Sequence, residues 1–86
     1  MKNFVVLGPA AEKFLDKLRD EQLYRRLQAA IDSLRANAYP HGAVKMVSPK
    51  KLYRIRIGDY HILYEVEPTR IVIGKIAHRR EVYRQS

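Results

Sequence analysis

Halfway along the chain the period of its apolar residues changes, and that change constrains the fold more than any other feature. Leu23, Leu27, Ala30, Ile31 and Leu34 recur at i, i+4, i+7, i+8 and i+11, a continuous stripe on one face of a helix. From Val44 onward the repeat is two: Tyr53, Ile55 and Ile57 alternate with Arg54 and Arg56, and Tyr60, Ile62, Tyr64 and Val66 alternate with His61, Leu63 and Glu65. A period of two belongs to strands. A helical stretch followed by a run of strands, rather than alternation of the two, points to an α+β domain.

The remaining elements follow from local chemistry. Residues 2–7 are apolar and β-branched and stop at Gly8-Pro9, which predicts a first strand. Pro9 suits a first helical turn, and Ala11, Phe14, Leu15 and Leu18 predict a helix over 10–19. Asp20 is an N-cap for a second helix that ends near Asn37, before Pro40 and Gly42. Val44 and Met46 suggest a short strand. Residues 51–57, 60–67 and 70–77 form three more, joined by turns at Gly58-Asp59 and Pro68-Thr69. The third is the most apolar and so the most buried. The expected order is β-α-α-β-β-β-β. It makes one α+β domain over residues 1–86, in which two helices pack on one face of a mainly antiparallel sheet. His78 to Ser86 reads as a polar tail with one aromatic, Tyr83.

Composition narrows the function. There are no cysteines, so disulfides, thiolate metal sites and thiol nucleophiles are excluded, and a reducing cytosol is the expected setting. No early apolar run is long enough for a signal peptide or a membrane span. The net charge is +8 and it is uneven. Residues 1–43 hold seven Lys or Arg against five Asp or Glu, and residues 44–86 hold ten against four. A basic half suits a phosphate-rich or acidic partner, although solubility alone is a competing account. Strand alternation sharpens the point. If Tyr53, Ile55 and Ile57 face the helices, Arg54, Arg56 and His61 share the opposite, open face, at neighbouring-strand distances of roughly 4.5–8 Å. The tail could carry His78 and Arg79 to the same face. Taken singly, each has a bland reading: an exposed strand arginine, a surface histidine, an aromatic at Tyr83 that anchors the tail.

The strings Leu52-Tyr-Arg-Ile-Arg-Ile-Gly-Asp-Tyr-His-Ile-Leu-Tyr-Glu-Val66 and Ile76-Ala-His-Arg-Arg-Glu-Val-Tyr83 together resemble the RelE toxins of the RelE/ParE toxin–antitoxin superfamily, and the element order and length agree over nearly the whole chain. The resemblance implies a type II toxin acting as a ribosome-dependent mRNA endoribonuclease in the A site. Cleavage in that family needs no metal or other cofactor: the 2′-hydroxyl attacks the adjacent phosphate and leaves a 2′,3′-cyclic phosphate. The implied partners are a RelB-like antitoxin, the ribosome and mRNA, in the cytoplasm, with no membrane. The resemblance carries site positions onto Arg54, Arg56, His61, Arg79 and Tyr83; together with the local clusters of positive charge this makes Arg56, His61, Arg79 and Tyr83 the expected catalytic set, and Lys50, Lys51, Arg54, His78 and Arg80 the expected RNA contacts.

This chain departs from the family pattern. Arginines stand at 54 and 56 where the best-known members place lysines, and His61 stands where arginine is usual. Arginine keeps its proton at physiological pH, so Arg56 and Arg79 are expected to clamp the phosphate. His61 or His78 is expected to take the 2′ proton, and Tyr83 to stack on a base. A ParE-like gyrase inhibitor without nuclease activity and a non-catalytic RNA-binding module are the alternatives.

Overall fold

The structure, a computed structural model, describes residues 3–84, with side chains described through Glu81. Strand β1 (Phe4–Leu7) leads into helices α1 (Pro9–Lys17) and α2 (Glu21–Ala36). Strands β2 (Val44–Lys45), β3 (Leu52–Ile57), β4 (Tyr60–Val66) and β5 (Arg70–His78) follow, and α3 (Arg79–Arg84) ends the described chain. The sheet order is β1-β5-β4-β3-β2. All neighbours are antiparallel except β1 and β5, which pair in parallel. The two-layer α+β architecture is the one expected from the period change.

Local chemistry sets the helix ends. Pro9 occupies the first turn of α1, where its missing N–H leaves nothing unpaired. Asp20 caps α2 by accepting a hydrogen bond from Leu23 N at 3.0 Å. Gly8 makes a close approach: its N–H donates to the Ile73 carbonyl at 2.8 Å, and a Cβ there would sit 3.0 Å from that oxygen. A side chain at this position would crowd β5 just where the chain leaves β1 for α1.

The core lies between the helices and the sheet. Leu15, Leu27, Ile31 and Leu34 from the helices meet Ile55, Ile62, Tyr64, Ile71, Ile73 and Ile76 from the strands. Burying an aliphatic side chain of this size stabilises the fold by about 1.5–3 kcal/mol. Strand β5 is covered by neighbours on both sides, which accounts for its apolar composition. The helix face also carries an aromatic row. Tyr53 stacks on Tyr64 with centroids 5.9 Å apart, and Tyr39 meets Tyr53 edge-on at 5.0 Å. Tyr64 donates its hydroxyl to the Ala38 carbonyl at 2.8 Å, tying the segment after α2 to the sheet. Burial, with smaller contributions from Tyr53 and Tyr39, pushes the Tyr64 hydroxyl up to about 12.

Two features differ from the sequence expectation. Ile73 and Ile76 are both buried in the core although they stand three positions apart, an odd spacing that simple alternation would put on opposite faces. A register shift permits this: Leu63 pairs with Lys75 and Tyr64 with Ile73, so Gly74 is an extra residue in β5. The segment expected as a polar tail instead extends β5 through His78 and then forms α3. The Arg79 N–H donates to the Asp59 carbonyl at 2.8 Å, which holds the start of α3 at the β3–β4 turn.

Candidate functional site

The hairpin turn is the centre of the basic end of the molecule. Gly58 has φ +60°, and no residue other than glycine has a positive φ among those described. That combination is a type II′ turn, whose twist suits a two-residue hairpin. It pairs Ile57 with Tyr60 and Arg56 with His61. Arg56 is exposed, and its Nε donates to the Gly58 carbonyl at 2.8 Å. Arg79 is held on the other side of the same turn by the backbone bond to Asp59, and its Nε lies 3.9 Å from Asp59 Oδ1. An exposed pair at that distance holds Arg79 weakly, by about 0–1 kcal/mol, so its guanidinium can exchange Asp59 for a better anion.

Pairing puts Arg54, Arg56 and His61 on the face away from α1 and α2, as alternation requires: Arg54 opposes Leu63, Arg56 opposes His61, and His61 opposes Ala77. His61 is on the expected face but is not open. It is 4% exposed, and its neighbour Ala77 is buried as well. Helix α3, which alternation alone could not foresee, packs against β4 and β5 at this end. Burial lowers the His61 pKa from its usual 6.5, and the Arg54 and Arg56 guanidiniums lower it further. The imidazole is therefore neutral at neutral pH.

The expectation that His78 joins this face is corrected. His78 pairs with Tyr60, whose ring packs edge-on against Phe14 of α1 at 5.9 Å. His78 meets the same Tyr60 ring edge-on at 5.3 Å, so it sits on the helix side of the sheet. Its Nδ1 accepts from the Arg80 N–H at 3.2 Å, which assigns the proton of the neutral ring to Nε2. Arg80 is exposed on α3. Lys50 and Lys51 are exposed at the opposite end of β3, roughly 17 Å from Arg56 at the rise of a strand. They form a separate basic outpost. Tyr83 falls within α3, where its side chain lies outside the described residues.

One participant was not foreseen. Arg26 of α2 reaches the turn: a Cβ on Gly58 would lie 3.3 Å from its Nη1. Its signal was positional. Arg26 follows Leu23 by three and precedes Ala30 by four, at the border of the apolar stripe, where a long side chain can lean over the sheet. Among the described residues no His, Asp and Glu cluster is suited to a metal ion, and no helix is long and apolar enough to cross a membrane.

Comparison with known proteins agrees with this architecture. Residues 5–83 match the family described as the ParE toxin of the type II toxin-antitoxin system parDE. A chain of the archaeal RelE-RelB complex from Pyrococcus horikoshii OT3 is 28% identical, with a TM-score of 0.74 over 92% of this chain and 97% of that one. A chain of the RelB-RelE antitoxin-toxin complex from Methanococcus jannaschii is 22% identical, with a TM-score of 0.73 over 91% and 94%. A chain of the YoeB dimer from Staphylococcus aureus has the same fold at 16% identity, with a TM-score of 0.73 over 91% and 98%. No curated protein gives a significant match. The helix-backed five-stranded sheet thus defines a RelE-type toxin fold. The chain belongs to the ParE toxin family of the RelE/ParE superfamily, the toxins of type II toxin–antitoxin systems.

Proposed function

We propose that this toxin is a ribosome-dependent endoribonuclease that cuts mRNA in the A site by attack of the 2′-hydroxyl on the adjacent phosphate. The observation that carries the reading is the convergence of Arg56 and Arg79 on the two residues of the β3–β4 turn. Two guanidiniums anchored to one rigid hairpin can hold the non-bridging oxygens of a phosphate and stabilise the charge that builds in the transition state. The 2′ oxygen bonds to phosphorus, the bond to the 5′ oxygen breaks, and a 2′,3′-cyclic phosphate and a 5′-hydroxyl result.

His61 is the base in this reading rather than His78, because it is the histidine on the arginines' face. A neutral imidazole can accept the 2′ proton once substrate displaces its cover, a contribution of about 10²–10⁴-fold. Arg54 extends the phosphate track, Arg80 borders it, and Lys50 and Lys51 contact RNA farther along. Tyr83 stacks on a base beside the cut. The ribosome and mRNA place this activity in the cytoplasm, and a RelB-like antitoxin restrains it. Gyrase inhibition is the second reading, favoured by the ParE family match and by the burial of His61.

The test is a cell-free bacterial translation reaction with messenger 5′ ends mapped by primer extension, run beside a gyrase supercoiling assay. New ends at codon-periodic positions, seen only with engaged ribosomes and lost in Arg79→Ala, are expected. Inhibited supercoiling with no new ends would replace the nuclease reading by the gyrase one.

A further inference from the structure

The phosphate clamp described above leaves one side of the hairpin turn unused. Arg79 stands on the β5 side, where its backbone N–H holds it to Asp59. On the other side a cavity of ≈ 560 Å³ opens between the start of α2 and the turn. Arg26 of α2 and Arg56 of β3 both line it, with Leu23, Ile57 and Tyr60 as an apolar wall. A Cβ on Gly58 would lie 3.3 Å from Arg26 Nη1, and Arg56 Nε bonds the Gly58 carbonyl at 2.8 Å. Two guanidiniums therefore converge on one residue from different layers of the fold.

Cations brought together in this way repel each other until an anion sits between them. Asp20 and Asp59 also line the cavity, but each carboxylate is engaged elsewhere. Asp20 accepts from Leu23 N, and Asp59 faces Arg79. Neither Arg26 nor Arg56 belongs to an ion pair among the described residues. Both are exposed, so the pair is open to an anion from outside.

We propose that this cavity is a second phosphate subsite, in which Arg26 and Arg56 hold the mRNA phosphate next to the cut on its 3′ side; the assignment rests on the nuclease reading above. The direction follows from where the base stands. The attacking 2′-hydroxyl belongs to the nucleotide on the 5′ side of the scissile phosphate. His61, which takes its proton, lies on the sheet face away from the helices. Arg26 comes from the helix layer on the opposite face. Arg56 stands between them, so a strand that runs from His61 past Arg56 meets Arg26 next. With its Nε on Gly58, Arg56 keeps both Nη groups for the two phosphates. The planar fork of Arg26 matches two oxygens of the second one. Leu23, Ile57 and Tyr60 then lie against the nucleoside that follows. Arg26 thus fixes how the chain leaves the site, and with it the orientation of the leaving 5′ oxygen.

The test removes the two partners separately and together. Ribosomes are programmed with an all-phosphate mRNA, or with one whose linkage 3′ to the cut is a single uncharged methylphosphonate. Wild type, Arg26→Gln and Arg25→Gln are compared; both arginines are exposed on α2, so neither change should move the denaturant midpoint. The methylphosphonate should slow wild-type cleavage about tenfold, the loss expected for a charge-assisted hydrogen bond. Arg26→Gln should slow cleavage of the all-phosphate mRNA by a similar factor and the methylphosphonate mRNA no further. Arg25→Gln removes the same charge one residue away and should keep the full methylphosphonate effect. Losses that multiply in Arg26→Gln, or a methylphosphonate effect that Arg25→Gln abolishes equally, would overturn the subsite. If the wild type cuts nothing, the nuclease reading fails and trithymidylate, which has no 2′-hydroxyl, decides the subsite by ¹⁵N NMR. Shifts of the Arg26 and Arg56 Nε resonances would sustain it as a phosphate site, and unshifted resonances would end it.

Discussion

Folding stability should fall with pH below 6.5 because of one residue, His61. Its imidazole is buried between β3 and β5, and burial, then Arg54 and Arg56, lower its pKa from 6.5. The unfolded chain, where the ring is solvated, therefore binds a proton more readily than the folded one. The proton number of the unfolded state exceeds that of the folded state between the two pKa values, and stability rises with pH there. Stability is complete above the unfolded value of 6.5 and is lost as pH falls through the lowered folded value. One proton limits the slope to about 1.4 kcal/mol per pH unit, which for a domain of this size moves Tm by about 4–8 °C for each kcal/mol. The assay is urea unfolding of the wild type and of His61→Leu from pH 5.5 to 7.5. His41 and His78 are common to both proteins, so the difference in slope isolates position 61. The wild type should lose stability more steeply toward pH 5.5. Equal slopes would mean that His61 titrates as a solvated ring, and the burial argument would be refuted.

Other expectations are simpler. Gly58→Ala should cost about 1–2 kcal/mol, because φ +60° strains any residue with a Cβ and the new methyl would meet the Arg26 guanidinium at 3.3 Å; denaturant midpoints would show it. Tyr64→Phe should cost about 1–3 kcal/mol, since it leaves the Ala38 carbonyl without its buried donor; a midpoint unchanged within error would contradict that. Lys50→Ala with Lys51→Ala should reduce the salt dependence of RNA binding by about two counterions and leave the cut positions unchanged, because both lysines lie at the far end of β3.

Elements set by period or by a local stop signal were legible in the sequence. The stripe from Leu23 to Leu34 and the Asp20 cap define α2, and the alternation from Tyr53 to Val66 assigns each residue of β3 and β4 to its face. The site was legible only in projection. Alternation put Arg54, Arg56 and His61 on one face, but depth depends on what covers that face, and α3 is too short and too polar to show a period. The misplacement of His78 has a similar origin. Its side is fixed by the register shift at Gly74, a single extra residue that reverses the parity of everything after it. Arg26 was hidden because its role depends on the distance between α2 and a turn some thirty residues away, which no local pattern encodes.

The proximity of two arginines to a buried histidine is unfavourable in the free protein, and that cost couples proton binding to anion binding. Cross-strand partners such as Arg56 and His61 lie with Cβ atoms about 4.5–5.5 Å apart, so the guanidinium charge acts directly on the imidazolium. A phosphate on Arg56 cancels that charge locally and removes part of what lowers the His61 pKa. The pKa should then rise toward 6.5 when RNA engages, making the ring a stronger base when a 2′ proton must be accepted. By linkage the converse holds: protonated His61 should bind phosphate more tightly, so anion affinity should increase as pH falls below 6.5. An NMR titration of the His61 ring, with and without a saturating oligouridylate, measures both. A pKa raised by the oligonucleotide in the wild type, and raised less in Arg56→Gln, is expected. An unchanged pKa would mean that phosphate does not settle on Arg56, and the clamp assigned to the hairpin turn would lose one of its two arms.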